Sequence, residues 1–472
     1  MSIELEKENE FNNSNEGMKL MNYSKDNRKK VDESTLKKQI GLPEAITMVI
    51  GIVIGSGIFF KATTVFGNAG NSVMGILAWI IGGIITMASA LTVAEIAAAI
   101  PKTGGVFAYL KELYGEQWAF LFGWVQTVIY VPGVVAALSI VFVTQATYFI
   151  DLSVTGQKIL AIFIILFIMT INILSTKLGS KVQFIATIAK LIPIIVIIAF
   201  GLINGTEHGF MTSAITKGNA SGLAGFGAAI LGTLWAYDGW ISVGNMAGEL
   251  KEPKKDLPKA IIIGLAIIIS VYLLVNLALL KILPLGYIVA SKKPASDAAV
   301  VLFGNGGAAL IAAGIMISIF GALNGYLMTG VRIPYAMAQE KLMPFSSFFG
   351  KLNEKFSTPM NAFIFEVILA ILYVLSGSFD TLTNLAVFVM WIFFVMTVAG
   401  IFILRAKHKD IKREYTVPLY PLVPLIGIVG GLYILISTMI TDTYNALYGI
   451  CITLIGFPIY LYIKKKENNK VS

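Results

Sequence analysis

About twelve apolar runs divide this sequence, and each is long enough to cross a bilayer as a helix. They fall at roughly residues 43–66, 72–100, 117–148, 157–176, 182–203, 225–248, 259–283, 307–330, 359–377, 381–404, 419–440 and 444–463, and a spanning helix needs about 20 mostly apolar residues. Hydrocarbon offers no partner to free backbone groups, so helices, which satisfy their own, are the expected form of each run. No aqueous core could bury so many. Of the 472 residues, 56% are hydrophobic and only 13% charged, whereas a soluble domain carries about 25% charged residues. The expectation is an all-α membrane protein with twelve transmembrane helices.

The first 40 residues stand apart. Asn, Lys, Glu and Ser dominate them with scarcely any apolar periodicity, which predicts a disordered tail over 1–40. No short apolar region with a cleavage site follows their charges, so the pattern is not that of a signal peptide. With this tail in the cytoplasm, about 29 of the 36 Lys and Arg residues fall on the cytoplasmic side. They include Arg28, Lys29 and Lys30, Lys254 and Lys255, the stretch from Arg405 to Arg413, and Lys464 to Lys466. That bias sets orientation by the positive-inside rule, putting both termini in the cytoplasm and requiring an even number of spans. It also accounts for the net charge of +9 without invoking nucleic acid. Anionic membrane lipid is a further partner open to the basic C-terminus.

Residues able to carry enzymatic or metal chemistry are scarce. Cys451 is the single cysteine; it lies in the last run and reads as a small buried hydrophobe. It cannot form an internal disulfide, and a thiolate metal site needs more ligands. The two histidines, His208 and His408, fall in expected loops. No HExxH motif and no Ser-His pairing lies inside the spans, which argues against an intramembrane metalloprotease or triad hydrolase. No enzyme, metal or cofactor is expected.

Two spans carry glycine and polar residues where a crossing helix should be most regular. One is Gly51-Ile52-Val53-Ile54-Gly55-Ser56-Gly57-Ile58-Phe59 in span one; the other is Leu234-Trp235-Ala236-Tyr237-Asp238-Gly239-Trp240 in span six. Glycine in a helix costs about 1 kcal/mol relative to alanine, and an aspartate near mid-membrane at least about 2.5 kcal/mol. Small residues also serve helix packing, the reading given to Gly82 and Gly83 in span two. The pairing of breaks points further, because spans one and six open two five-span halves, and such paired interruptions mark secondary-transporter sites. Five is odd, so the halves have opposite topology, and spans eleven and twelve lie outside the repeat. A broken helix exposes amides at one half's N-terminus and carbonyls at the other half's C-terminus. Amides attract a carboxylate and carbonyls an ammonium, so a zwitterionic amino acid fits such a break without any charged side chain. Glycine lets the substrate reach the backbone itself.

Together with these breaks, Pro101-Lys102-Thr103-Gly104-Gly105 and Val417-Pro418-Leu419-Tyr420-Pro421 make the chain resemble the amino acid–polyamine–organocation permeases. Within them it is similar to the L-amino acid transporter branch, most of all to the bacterial serine/threonine exchangers, from about residue 37 to about residue 466. The resemblance implies a LeuT-like five-plus-five inverted repeat with two further helices, and sodium-independent exchange of small neutral amino acids. It implies that the amides around Gly55, Ser56 and Gly57 hold the carboxylate, and that the carbonyls of Val53, Trp235 and Asp238 hold the amino group. Ala236, Tyr237 and Gly239 complete that stretch. The gating aromatic of span six is usually Phe in this branch and is Trp235 here. Asn324-Gly325 is followed by Tyr326 where the resemblance to the bacterial exchangers implies a lysine, making Asn324 and Tyr326 candidates for selectivity. Animal members join a partner through a cysteine in the loop after span three. The loop around Asp151 to Gln157 has none, so no disulfide-linked accessory subunit is expected.

The intramembrane charges remain open to more than one reading. Lys190 in span five either snorkels to the interface or lends its ammonium to backbone carbonyls. In the resembling family a lysine here stands where sodium-coupled relatives bind sodium, beside the break of span one and Ser318. Asp238 either carries a coupling proton or, the favoured reading, caps an unwound turn. Glu95 is expected to pair with a basic residue of a cytoplasmic loop, and Glu366 has no assigned role. The expected organisation is a tail over 1–40, a ten-helix core over 41–404, a loop with helices eleven and twelve over 405–466, and a tail over 467–472. The leading function is amino acid exchange in the cell membrane. A proton-coupled symporter of the same fold is the alternative, a transporter-like receptor is less favoured, and a channel would need a continuous polar path or carbonyl filter. Sequence leaves oligomeric state open.

Overall fold

The computed structural model describes residues 38–206, 222–291, 293–376, 379–407 and 413–471. The tail expected over 1–40 lies almost wholly outside them, as do His208 and His408. Among the described residues no strand forms, and a lone parallel bridge joins Ile40 to Leu250.

The chain enters through α1 (Leu42–Val53) and, after a bend of 44°, α2 (Gly57–Ala69). Pro43 fits the first turn of α1, where its missing N–H removes no helical bond, and Gly70, at φ 77°, closes α2 in the left-handed conformation. Next come α3 (Ser72–Ala99), the short α4 (Val106–Tyr114), α5 (Glu116–Val125) and α6 (Val131–Ala146). A π turn, Gln126–Tyr130, joins α5 to α6 within one span. Serine caps start α7 (Val154–Leu174) and α8 (Thr176–Asn204), Ser153 accepting from the Gly156 amide and Ser175 from the Leu178 amide.

Further along the chain come α9 (Gly222–Tyr237) and a 3-10 segment, Trp240–Glu249. Then follow α10 (Pro253–Ile282), α11 (Leu285–Ala290), α12 (Pro294–Gly330), α13 (Arg332–Gln339) and α14 (Ser346–Phe349). The chain ends with α15 (Met360–Ser376), α16 (Phe379–Lys407), α17 (Leu422–Thr441) and α18 (Thr443–Val471). Among the described residues nine helices are long and apolar enough to cross a bilayer, and ten if α1 and α2 count as one broken span. Two expected spans fall outside that number for local reasons. Span six stops as a regular helix at Tyr237, and α15 is a shorter apolar helix.

Two expectations are corrected here. Cys451 is exposed rather than buried, because α18 is the least enclosed of the long apolar helices and leaves most of its surface outside the packed interior. The last helix also runs on to Val471, past the expected end of span twelve. The apolar pattern stops near Lys464, but no Gly or Pro follows to end the helix.

Close packing around small residues brings earlier and later helices of the chain together. α9 packs on α2 and α3, α10 on α1 and α3, and α12 on α6 and α8. A Cβ added at Gly82 would stand 2.0 Å from the Thr233 hydroxyl, so that glycine sets the approach of α3 to α9. The Pro101–Gly105 turn docks on the 3-10 segment: the Gly104 amide donates to the Asn245 carbonyl (3.1 Å), and Gly104 and Gly105 both have positive φ. At the same end Glu249 makes a buried ion pair with Arg332 (2.8 Å) while its carbonyl accepts from the Ile40 amide (3.0 Å). Glu95, fully buried at the end of α3, receives Arg405 (2.7 Å) and the Val417 amide (2.7 Å), and Arg413 lies at 3.7 Å. That is the basic partner expected for Glu95.

Candidate functional site: two helix breaks and a buried ammonium

The first break spans Ile54, Gly55 and Ser56. Gly55 turns its amide back to the Val53 carbonyl (2.8 Å), and the Ser56 carbonyl takes the Phe59 and Phe60 amides that start α2. The first amides of α2 precede any intrahelical acceptor and carry the positive end of the helix dipole. The buried Ser56 hydroxyl has no hydrogen-bond partner among the described residues. Glycine is required at this point. A Cβ on Gly57 would stand 2.6 Å from Ala236 Cα, and one on Gly55 would stand 2.9 Å from Ala322 Cβ.

The second break lies against the first. α9 ends at Tyr237, Gly239 adopts φ 96°, and the Asp238 amide reaches the Trp235 carbonyl at 3.3 Å. Tyr272 of α10 ties the breaks together: its hydroxyl lies 3.0 Å from the Val53 carbonyl and 2.8 Å from the Ala236 carbonyl. It has one proton to share between two acceptors. The Tyr272 ring packs edge-on to Trp79 (5.5 Å), and the Tyr237 hydroxyl donates to the Trp79 carbonyl (3.2 Å). Trp235 is buried, with the Lys61 ammonium 5.9 Å from its ring centre.

The Asp238 carboxylate is more than a local cap. Its Oδ2 accepts from the Tyr130 hydroxyl of the π turn and from the Tyr326 hydroxyl of α12 (3.2 Å). The Gly239 amide also faces it, so the capping expected from sequence is joined by two phenols from other spans. Tyr130 and Tyr326 pack with ring centres 6.1 Å apart.

Behind the first break sits Lys190. It is fully buried, which sets aside the snorkelling reading, and its ammonium donates to the carbonyls of Gly51 (2.7 Å) and Ile54 (2.5 Å). The Ser318 hydroxyl donates to the same Ile54 carbonyl (3.0 Å). Thr187, one turn earlier on α8, donates to the Thr47 carbonyl (3.1 Å). One face of α8 therefore supplies donors to successive carbonyls of α1.

Among the sequence candidates, Val53, Gly55, Ser56, Gly57, Trp235, Ala236, Tyr237, Asp238, Gly239, Lys190, Ser318 and Tyr326 all gather around the two breaks. Asn324 does not face the Asp238 cluster. Its amide donates to Gln183 Oε1 (2.9 Å) and the Gly179 carbonyl (3.2 Å) and accepts from Asn172 (2.8 Å). Residues near Asn324 and Tyr326 leave α12 on different faces, so one joins spans four and five and the other the break. Sequence reasoning missed Tyr130 and Tyr272. Their only signal was a hydroxyl inside an otherwise apolar run. Among the described residues no group of three or more His, Cys, Asp or Glu is placed to hold a metal ion.

Comparison with known proteins identifies the family. A family model described as amino acid permease matches residues 40–457. The chain is 44% identical over 439 residues to the serine/threonine exchanger SteT of Bacillus subtilis (strain 168), covering 92% of this chain and 99% of that protein. It is 31% identical over 444 residues to the mouse b(0,+)-type amino acid transporter 1, covering 90% and 88% respectively. It is also 31% identical over 442 residues to the mouse large neutral amino acids transporter small subunit 2, covering 90% and 81%. The chain belongs to the amino acid permease family and is a multi-pass membrane protein that transports amino acids.

Proposed function

We propose that the chain is a sodium-independent exchanger of small neutral L-amino acids, serine and threonine foremost, working by alternating access in the cell membrane. The observation that carries this reading is the Lys190 ammonium lodged between the Gly51 and Ile54 carbonyls. An ammonium fixed there supplies the charge of a bound metal cation without having to be loaded and released. A neutral amino acid then crosses with no coupled ion, and the empty carrier returns by picking up a counter-substrate.

In this reading the amides of Ser56 and Gly57, reached over Gly55, hold the substrate carboxylate. The carbonyls of Val53, Trp235 and Asp238 hold its ammonium, with the Tyr272 hydroxyl yielding the Val53 carbonyl as substrate enters. The backbones of Ala236, Tyr237 and Gly239 line the pocket. Trp235 limits the substrate side chain, and Tyr326 fixes the Asp238 turn beneath it. The twelve-span inverted repeat, with spans one to ten in 41–404 and spans eleven and twelve in 405–466, supplies the two conformations. The distribution of Lys and Arg supports cytoplasmic termini.

The substrate class is supported by the likeness to a serine/threonine exchanger. The likeness to a large neutral amino acid transporter makes side-chain size the variable that Trp235 must decide. Vesicles containing the purified protein test the reading. Preloaded with serine, they should take up labelled serine rapidly without sodium. Empty vesicles with an imposed proton gradient should accumulate little. Strong uphill uptake into empty vesicles, collapsed by a protonophore, would favour the proton symporter instead.

A further inference from the structure

Glu366 is a buried carboxyl that the site above does not use. It lies on the second turn of α15, fully buried, and neither carboxyl oxygen has a hydrogen-bond partner among the described residues. Its helix packs against α6, α7, α13, α14 and the π turn. Charged side chains on those elements are few, for α6, α14 and the π turn contain none. From α7 comes Lys158, whose ammonium donates to the Leu375 carbonyl near the far end of α15 (3.0 Å). From α13 comes Arg332, whose guanidinium lies 5.9 Å from the Phe363 ring centre but is taken up by Glu249 (2.8 Å) and Thr176 (3.1 Å). The other titratable groups on these elements are the phenols of Tyr130, Tyr335 and Tyr373.

An isolated carboxylate enclosed by apolar side chains inside a membrane has neither solvent nor counter-ion to stabilise it. In this conformation nothing among the described residues pairs with the Glu366 carboxyl or donates to it. Tyr373 lies seven residues further along α15, on the same helix face. Its hydroxyl donates to the Val128 carbonyl inside the π turn (2.8 Å). That turn ends in Tyr130, which donates to Asp238. One helix face thus carries both the buried acid and the clamp on the turn that reaches the substrate site. π turns inside helices often mark functional positions, since they leave carbonyls without their usual partner.

We propose that Glu366 is a proton-binding site that governs the transport cycle through the π turn of span three. When α15 closes on that turn, the carboxyl keeps its proton. When the two separate and water enters, the O–H proton passes to water and leaves a hydrated carboxylate. Closure then requires that the proton be regained. Exchange should accordingly slow as pH rises, without any proton being carried along with substrate.

The test is the exchange rate of preloaded vesicles with the same pH on both sides, together with Glu366→Gln, which cannot ionise. Wild-type exchange should fall about tenfold between about pH 5 and about pH 9, while the variant keeps its acid-pH rate throughout. A flat wild-type profile, or a variant that falls just as the wild type does, would overturn the proposal. A second readout needs no variant. A hydrophobic carbodiimide adds only to a protonated carboxyl, the acid proton moving to nitrogen as the carboxyl oxygen bonds to carbon. Peptide mapping should find the adduct on Glu366, and its absence there would equally count against the proposal. The exchange reading is decided separately, by preloaded against empty vesicles at one pH, so the two can fail independently.

Discussion

The Lys190 ammonium and the Ser318 hydroxyl converge on one carbonyl, that of Ile54, at 2.5 Å and 3.0 Å. The carbonyl belongs to the first break, the lysine to α8 and the serine to α12, so three spans are tied at a single atom. Lys190→Ala should abolish exchange and lower thermal stability. Two carbonyls would lose a charged donor, and hydrogen bonds to charged groups are worth about 1.5–3 kcal/mol each. Uptake measured beside a melting curve checks this, and near wild-type exchange by a folded variant would show that the ammonium is not needed.

Gly57→Val should abolish transport through contact alone. Even the first added carbon would stand 2.6 Å from Ala236 Cα, and overpacking of this kind costs about 1–3 kcal/mol. The expected signature is a protein still extracted and folded that gains no thermal stability from added serine. Retained serine stabilisation would mean that the α2 amides do not hold the substrate.

Trp235→Phe should widen the substrate range toward leucine and phenylalanine. The side chain is buried at the second break beside Lys61, and a change in pocket size of this order shifts discrimination by about 1–3 kcal/mol, or about tenfold and more. Competition of labelled serine uptake by serine, threonine, leucine and phenylalanine gives the order. An unchanged order would place Trp235 away from the substrate side chain.

How much of this could be read beforehand depends on what each residue does to an apolar pattern. The breaks were legible because Gly55, Ser56, Gly57, Asp238 and Gly239 are costly in a crossing helix, and Lys190 because it is a lone charge in span five. Tyr130 and Tyr272 were not, since tyrosine is unexceptional in a span and their role depends on helix rotation. Tyr272 matters because α10 happens to face both breaks at once. The same rotation sends Asn324 toward Asn172 and Gln183 rather than toward Asp238. Residue type suggests a buried Cys451, but exposure follows from the packing of α18, which sequence does not display.

Glu95→Gln should destabilise the protein without changing substrate preference. Glu95 is fully enclosed and holds Arg405, Arg413 and the Val417 amide at the end of α3. Breaking a buried pair by removing one partner costs about 3–5 kcal/mol, and the lower end is expected because Arg405 is partly exposed. A lowered melting temperature with an unaltered competition order is the predicted outcome. An altered order with full stability would tie this latch to substrate choice.

An ammonium fixed at the first break should make counter-substrate, and no ion, the partner of transport. Labelled serine uptake in sodium-free vesicles decides this, with serine-loaded vesicles compared with empty ones under a proton gradient. Uptake should be rapid in the loaded vesicles and slight in the empty ones, with added sodium changing neither. Uphill accumulation in empty vesicles, whether driven by sodium or abolished by a protonophore, would contradict it.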